Sequence, residues 1–287
     1  MSAATIARSE TRQPLPYRLR WRPEGVLPGA HPGHGEGAEG EFRRHVGLLR
    51  HPDPRRIDLR ASLRDPFGEL QVRQFAPRRA IPVAAIVDLS GSMRFGAAVA
   101  GRVAELCAVL ALSAVRSGDS FALVGCDDAV RDDVSLPPGR RRGLEEEVFE
   151  RLAAAAPRGG SAGLEAAAER LALRRGLVFL ISDFLLPPAR IAAVLDSLWR
   201  HDVVPVVIRD SAFDDGLPAW GLIEVADLED GATRLVFMRP ALRARWRAQA
   251  RERQGALAAA FAARGLRPFE LADTLDTDAL ARRLMEG

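Results

Sequence analysis

The sequence predicts an α/β protein with a doubly wound, mostly parallel central sheet flanked by helices. Three continuous apolar runs, 81–87, 177–181 and 203–208, have the length and composition of strands buried on both faces. Segments with apolar residues at helical spacing separate these runs. Strands that alternate with helices favour a parallel sheet with right-handed crossovers.

Three regions follow one another along the chain. Residues 1–40 contain repeated Gly and Pro with few apolar anchors, so we expect a flexible N-terminal segment. Residues 41–80 are a lead-in segment, in which 69–75 alternates apolar and polar residues and predicts a half-buried edge strand. Residues 81–287 are expected to form the main domain.

The first half of the main domain is predicted to contain two helices and two more strands. A helix over about 96–116 would carry apolar residues on one face, at Val99, Val103, Leu106, Leu110 and Ala114. A short apolar strand is expected over 120–125, and a more polar strand over 130–136. A charged helix is predicted over 141–155.

Glycine and proline mark the elements of the second half. Gly159 and Gly160 break the chain before one helix, and Pro187 and Pro188 open the next, since proline is favoured in a first helical turn. An Asp-Gly turn joins the two strands of a predicted hairpin. A long helix, a strand and a last helix complete the chain. The predicted helices and hairpin strands are 161–173, 187–199, 222–225, 234–237 and 240–264.

Composition excludes several classes of protein. The chain has 287 residues and a formal net charge of +3, and all its basic side chains are arginine, which excludes lysine Schiff-base chemistry. No apolar run approaches the roughly 18 residues of a membrane helix, and the N-terminus lacks an apolar signal core, so a cytoplasmic location is expected. Cys107 and Cys126 are too few for a disulfide framework or a four-cysteine zinc site.

Side chains with oxygen donors follow two of the buried strands and one glycine pair. Asp88, Ser90 and Ser92 come after the first buried strand, Ser161 begins a predicted helix, and Asp183 follows the second buried strand. Ligands of open α/β sheets bind beyond the carboxyl ends of strands. Oxygen donors suit Mg²⁺ (or Mn²⁺), and two carboxylates leave such an ion short of negative charge. The set therefore predicts a metal site that recruits a carboxylate from a partner.

The pattern Asp-x-Ser-x-Ser, followed by a serine after glycines and a strand-end Asp, resembles the von Willebrand factor A domain. Its metal-ion-dependent adhesion site is matched by Asp88, Ser90, Ser92, Ser161 and Asp183, with serine where many members have threonine at position 161. The resemblance implies a Rossmann-like fold and a protein that is not an enzyme. Ser90, Ser92 and Ser161 are expected to bind the metal directly, while the two aspartates act through water or as acceptors.

The lead-in segment resembles a bacterial family of uncharacterised proteins linked to MoxR-type AAA+ ATPases. Residues 54–62 are similar to an Arg-x-Ile-Asp-Trp-Arg element of that family, with Leu59 where tryptophan is usual. The Asp-Leu-Glu-Asp-Gly turn and the arginine-rich helix after it are also similar. Many members carry N-terminal membrane helices, so this chain resembles a short soluble form. The resemblance implies an adaptor that works with a MoxR-type ATPase in maturation or metal insertion of an enzyme complex, such as one for methanol oxidation.

Two other functions remain as alternatives. Arg243, Arg247 and Arg251 form a basic stripe on the long helix, which favours nucleic acid or an acidic partner. The order Ser161, Asp183, His201 is that of a serine hydrolase, with Ser161 inside a Gly-x-Ser-x-Gly pattern. A nucleophile elbow requires a strand directly before the serine, and here a helix is predicted instead.

A purely structural role for the site residues is also open. Ser90 and Ser92 are suited to capping the helix that follows them, and Ser161 and Asp183 are suited to capping theirs. Each residue alone favours capping, whereas the five together, in this order and strand context, favour a metal site.

Overall fold

The computed structural model describes the chain in eight stretches, and every structural statement concerns these residues: 12–24, 27–33, 40–94, 96–171, 174–209, 218–226, 233–272 and 274–286. The strands are β1 (Pro28–Pro32), β2 (Glu41–Gly47), β3 (Gln71–Ala76), β4 (Arg78–Arg79), β5 (Pro82–Asp88), β6 (Ser120–Cys126), β7 (Val130–Gly139), β8 (Leu177–Ser182), β9 (Asp202–Ile208), β10 (Gly221–Ala226), β11 (Thr233–Met238) and β12 (Phe269–Leu271). The helices are α1 (Leu59–Ser62), α2 (Gly96–Arg116), α3 (Leu144–Ala154), α4 (Leu164–Glu169), α5 (Pro188–Ser197), α6 (Pro240–Ala262) and α7 (Thr277–Met285).

The central sheet, as far as the chain is described, has six strands in the order β12-β9-β8-β5-β6-β7. Neighbouring strands are parallel except for β7, which runs antiparallel to β6 at one edge. The strand order reverses direction at β5, so the crevice beyond the carboxyl ends of β5 and β8 is the position where doubly wound folds bind ligands. The predicted fold class is confirmed.

Helices cover both faces of this sheet. Helices α2, α3 and α7 pack on one face through residues such as Leu106, Phe149 and Leu280. Helices α4, α5 and α6 pack on the other through residues such as Leu164 and Phe261. Because β5 and β8 are covered on both sides, their side chains are buried almost without exception, which explains the continuous apolar runs in the sequence.

The N-terminal segment differs from the prediction. Residues 12–24 lie along the main domain, with Leu15 buried in its core and Tyr17 and Trp21 packed against it. Arg12 forms an ion pair of 2.9 Å with Glu105 on α2. Leu15, Tyr17 and Trp21 thus anchor residues 12–24, which were predicted to be flexible as part of the Gly- and Pro-containing segment 1–40. Residues 1–11, 25–26 and 34–39 lie outside the described residues.

The lead-in segment is a separate small unit. Strand β3 pairs with β2 in a two-stranded antiparallel ribbon outside the central sheet, so it is an edge strand of that ribbon, with Val72 and Gln74 buried. A similar antiparallel pair, β10 and β11, confirms the predicted hairpin, while its turn at 227–232 lies outside the described residues. Large apolar side chains are exposed on both ribbons, among them Phe42 on β2 and Leu235 on β11.

Two helices differ from their predicted form. Helix α4 is shorter than expected, spanning six residues, because a turn over 161–163 precedes it. Helix α6 has the expected length, but of four large apolar residues along it only Phe261 is buried, whereas Leu242, Trp246 and Leu257 are partly exposed. Most of α6 therefore lies at the surface. No helix in the described stretches is both long and apolar enough to cross a membrane.

Candidate metal-binding site

The carboxyl ends of β5 and β8 place Asp88 and Ser182 side by side. Val87 and Ile181 are register partners in these parallel strands, so the next residue of each strand reaches the same edge of the sheet. Ser182 donates a hydrogen bond of 2.7 Å from Oγ to Oδ2 of Asp88. The backbone N–H of Ser90 donates to Oδ1 at 3.0 Å. Both carboxylate oxygens of Asp88 are thus oriented by neighbouring loops.

Asp88 is fully buried, which has an electrostatic consequence. Burial raises the pKa of this carboxyl because the charged form loses its hydration. The hydrogen bonds from Ser182 and Ser90 and the charge of Arg190 act in the opposite direction. A cation beside Asp88 would offset the free-energy cost of burying the charged carboxylate. The position next to Asp88 is therefore favourable for a metal ion.

Ser90 and Ser92 present a pair of hydroxyls on the loop after β5. Their Oγ atoms lie 3.1 Å apart at a short 3-10 turn over Gly91–Met93. The hydroxyl of Ser90 does not cap this turn. Two adjacent ligands of octahedral Mg²⁺ lie about 3.0 Å apart, given metal–oxygen distances of about 2.1 Å. The spacing of the two hydroxyls therefore fits a shared metal ion.

Backbone hydrogen bonds bring the Ser161 loop against the loop after β5. The N–H of Gly91 donates to the carbonyl of Gly159 at 2.8 Å, and the N–H of Arg158 donates to the carbonyl of Leu89 at 2.8 Å. Gly159 has a φ of +60°, and a Cβ there would lie 2.1 Å from the Asp128 carboxylate, so glycine is required at this close approach.

Ser161 and Asp183 do not have the capping roles that were considered for them. Ser161 is buried, and α4 is capped at Gly163 without a side-chain hydrogen bond. Asp183 is also buried, but Pro187 is the N-cap of α5, and Oδ1 of Asp183 accepts a hydrogen bond of 2.9 Å from the N–H of Leu185. These geometries remove the capping explanation for both residues.

An unusual turn directs the chain away from Asp183. Phe184 is the single non-glycine residue with positive φ in the described stretches, at 54°. Its N–H donates to Oγ of Ser182 at 2.9 Å, and its buried ring packs edge-on against Phe261 of α6, with centroids 5.2 Å apart. The turn is thus held by a hydrogen bond to the site and by packing on α6.

Two residues of this site were not among the sequence-predicted ligands. Ser182 is the last residue of β8, and only the register of β8 against β5 identifies its hydroxyl as a partner of Asp88. Arg190 on α5 donates to the carbonyl of Ser161 at 3.4 Å and acts on Asp88 through its charge. No pattern in the sequence distinguishes Arg190 from the many other arginines.

The donor set suits a hard cation through hydroxyls more than through carboxylates. Within the described part of the chain, no group of three or more His, Cys, Asp or Glu side chains is arranged to hold a metal. A metal at this edge would depend on Ser90, Ser92 and Ser161, with Asp88 and Asp183 supplying negative charge. Oxygen donors of this kind match the preference of Mg²⁺.

The hydrolase alternative fails on geometry. Leu177 is the register partner of Asp202, so His201 lies beside the amino end of β8, whereas Asp183 follows its carboxyl end. Six strand residues separate these ends by about 20 Å. Ser161 follows a loop after α3 instead of a strand. Ser161, His201 and Asp183 therefore cannot form a catalytic triad.

The arginine stripe lies on α6. Arg243 and Arg247 are half-buried, and Arg251 is exposed. The structure places all three on the helix that supplies Phe261 to the turn after Asp183. None of these three arginines is among the described residues that hydrogen-bond to Asp88, which are Ser90 and Ser182.

Comparison with known proteins gives relatives of unknown function. The family described as "Protein of unknown function DUF58" matches residues 52–256. A Paracoccus denitrificans protein named "Uncharacterized protein in moxR 3'region" is 43% identical over 104 residues, which cover 36% of this chain and 99% of that protein. An uncharacterized protein of Mycobacterium tuberculosis is 31% identical over 241 residues, which cover 80% of this chain and 73% of that protein.

Solved structures show more distant similarity. The conserved hypothetical protein BatB from Bacteroides thetaiotaomicron has a TM-score of 0.44 and 11% identity, covering 71% of this chain and 97% of that chain. A von Willebrand factor type A protein from Catenulispora acidiphila has a TM-score of 0.34 and 19% identity, covering 47% and 34%. The family match extends over more than half of the sequence, and the chain therefore belongs to the DUF58 family of proteins of unknown function.

Proposed function

We propose that this protein is a non-catalytic, metal-dependent interaction module that works with a MoxR-type AAA+ ATPase. The observation that carries the proposal is the arrangement at the carboxyl ends of β5 and β8. Ser182 orients the buried Asp88, and the hydroxyls of Ser90 and Ser92 lie 3.1 Å apart beside it. This arrangement supports the von Willebrand factor A-like adhesion site that the sequence resembles.

The charge at the site explains why docking is favoured over hydrolysis. Asp88 and Asp183 are both buried, and Arg190 already balances part of the charge of Asp88. A bound Mg²⁺ (or Mn²⁺) would supply a coordination position for one more oxygen ligand. An Asp or Glu of a partner provides both that ligand and the missing negative charge, while Ser90, Ser92 and Ser161 remain in place as neutral donors.

The choice of partner follows from the relatives. The Paracoccus denitrificans relative is named for its position in the moxR 3′ region, which supports a functional link between this family and that ATPase. In this proposal the protein presents its metal edge either to the ATPase or to the client that the ATPase remodels. The client is an enzyme complex that requires maturation or insertion of a metal or cofactor.

The alternative partner surface is the arginine stripe. Arg243, Arg247 and Arg251 lie on a helix that is mostly at the surface, which supports an acidic partner docking there without metal. With a formal net charge of +3, the chain has a weak electrostatic basis for nucleic-acid binding. The variant Arg251→Glu tests the arginine stripe alone, since it leaves every residue of the metal site unchanged.

The test is association of purified protein with the MoxR-type ATPase of the source organism, in Mg²⁺ and in excess chelator. The expected result is binding by the wild type in Mg²⁺ and loss of binding in chelator. The Ser90→Ala/Ser92→Ala variant should not bind in either condition, whereas Ser197→Ala, which removes an exposed hydroxyl on α5, should behave as wild type. Binding that is the same in Mg²⁺ and in chelator, and the same for the wild type and the Ser90→Ala/Ser92→Ala variant, would contradict the proposed mechanism.

A further inference from the structure

The connection between β2 and β3, residues 48–70, is named the ribbon tip. It presents large apolar side chains almost fully to solvent: Leu49 is 94% exposed, Leu63 is 87% exposed and Phe67 is 86% exposed. Leu59 in the same connection is also exposed. A group of protruding leucines and a phenylalanine is uncommon on a protein surface unless the surface contacts a partner.

These side chains lie at one end of the ribbon. The N–H of Leu48 donates to the carbonyl of Leu70 at 2.7 Å, so the chain leaving β2 lies beside the chain entering β3. Leu49 directly follows the first of these residues. Phe67 lies three residues before the second, and Leu63 follows Ser62, whose hydroxyl accepts a hydrogen bond of 2.8 Å from the N–H of Gln71 at the start of β3. The hydrogen bonds of the ribbon therefore bring its three most exposed apolar residues to the same end.

Hydrogen bonds also hold the shape of the ribbon tip. Oδ2 of Asp65 accepts from the N–H groups of Phe67 at 3.1 Å and Glu69 at 2.9 Å, and Oδ1 accepts from the side-chain amide of Gln71 at 3.0 Å. Gly68 adopts a φ of +68°, which closes the turn after Phe67. The hydrogen bonds of Asp65 thus fix the backbone of the turn on which Phe67 is exposed.

The charge of the chain is concentrated in the same unit. Residues 41–76 contain eight arginines and five acidic residues, an excess of three that equals the formal net charge of the whole chain. Two of the acids are engaged locally: Asp58 pairs with Arg73 at 2.8 Å, and Asp65 closes the turn. The ribbon tip itself, residues 48–70, contains five arginines and four acidic residues. Of the four acids only Glu69 is exposed, whereas four arginines are exposed, so arginine dominates the outward charge of the tip; these are Arg50, Arg55, Arg60 and Arg64.

From this combination we infer that the ribbon tip docks on an anionic lipid bilayer. Exposed leucine and phenylalanine side chains can enter the interfacial region of a membrane, and the exposed arginines beside them are attracted to its anionic lipids. The arginines would contact lipid phosphates, which the guanidinium binds with two hydrogen bonds. This inference is independent of the proposed metal site, which lies at the ends of β5 and β8.

The test is sedimentation of the full chain with vesicles of phosphatidylcholine alone or mixed with phosphatidylglycerol, at low and high salt. Wild type should bind the anionic vesicles and release them at high salt. Leu63→Ser/Phe67→Ser should weaken binding at least about tenfold, because each apolar side chain loses its transfer from water. Arg60→Gln/Arg64→Gln should weaken it about 25-fold, or about fivefold for each arginine near the surface.

A matched control lies on the other ribbon. Leu222 and Leu235, which are 63% and 70% exposed, are diagonal neighbours on the β10–β11 hairpin, since Leu222 pairs with Phe237 and Leu235 pairs with Glu224. The variant Leu222→Ser/Leu235→Ser should bind vesicles as wild type does. Equal binding to neutral vesicles, or wild-type binding by both tip variants, would overturn the inference. Failure of the wild type to bind anionic vesicles would also overturn it and would leave a protein partner as the occupant of the tip.

Discussion

The hydroxyl of Ser182 donates a 2.7 Å hydrogen bond to the buried carboxylate of Asp88, across the adjacent ends of β8 and β5. The same hydroxyl oxygen accepts a hydrogen bond from the N–H of Phe184. Ser182 therefore connects the acidic centre of the candidate site to the turn that packs on α6. Removal of this one hydroxyl should affect both.

We expect Ser182→Ala to lower the free energy of unfolding by about 1–3 kcal/mol, because the substitution leaves a buried carboxylate oxygen without its donor. Urea denaturation of the two proteins measures this difference. Ser197→Ala is the control, since its side chain is on the exposed side of α5, and its effect should be within about 0.5 kcal/mol. An equal effect for both variants would show that the Ser182 hydroxyl has no special role.

Addition of Mg²⁺ should raise the Tm of the wild-type protein by about 5 °C at a hundredfold excess over Kd, because a ligand that binds only the folded state stabilises it. Ser90→Ala/Ser92→Ala should show no such rise, since it lacks the pair of hydroxyls that fits the ion. Thermal denaturation with and without chelator measures both. A rise of the same size in the double variant would place the metal elsewhere.

The rings of Phe184 and Phe261 should be energetically coupled. Each single substitution to alanine should destabilise the protein by about 3–5 kcal/mol through lost burial. The double variant should cost less than the sum by about 0.5–1.5 kcal/mol, which is typical of an aromatic pair. A double-mutant cycle from denaturation curves measures the coupling, and strict additivity would contradict the contact.

His201 should make stability depend on pH. Burial lowers the pKa of this histidine below its usual 6.5, and the charges of Arg175 and Arg200 lower it further. The imidazole of His201 therefore binds a proton more readily in the unfolded chain than in the folded one. The free energy of unfolding should be unaffected by this group above pH 6.5 and should fall as the pH drops below 6.5. When the pH is lowered from about 7.5 to about 5.5, the Tm of the His201→Gln variant should fall by less than the Tm of the wild type. Parallel pH profiles would contradict this prediction.

The sequence by itself determined the fold class and the order of the main elements. The apolar runs of β5, β8 and β9 are continuous because both faces of these strands are covered, and such runs are readable without coordinates. The five candidate ligands were also named from the sequence, because strand ends in a parallel sheet converge on one edge. Their arrangement around a metal remains a prediction.

Only the tertiary structure decided which residues contact one another. The register of β5 and β8 places Ser182 on Asp88, and the packing of α5 brings Arg190 to the same site. The attachment of residues 12–24 depends on Leu15 reaching a core built from distant segments, a contact that local composition does not encode. Periodicity depends on neighbours along the chain, whereas these contacts join residues far apart in sequence, so the folded packing alone specifies them.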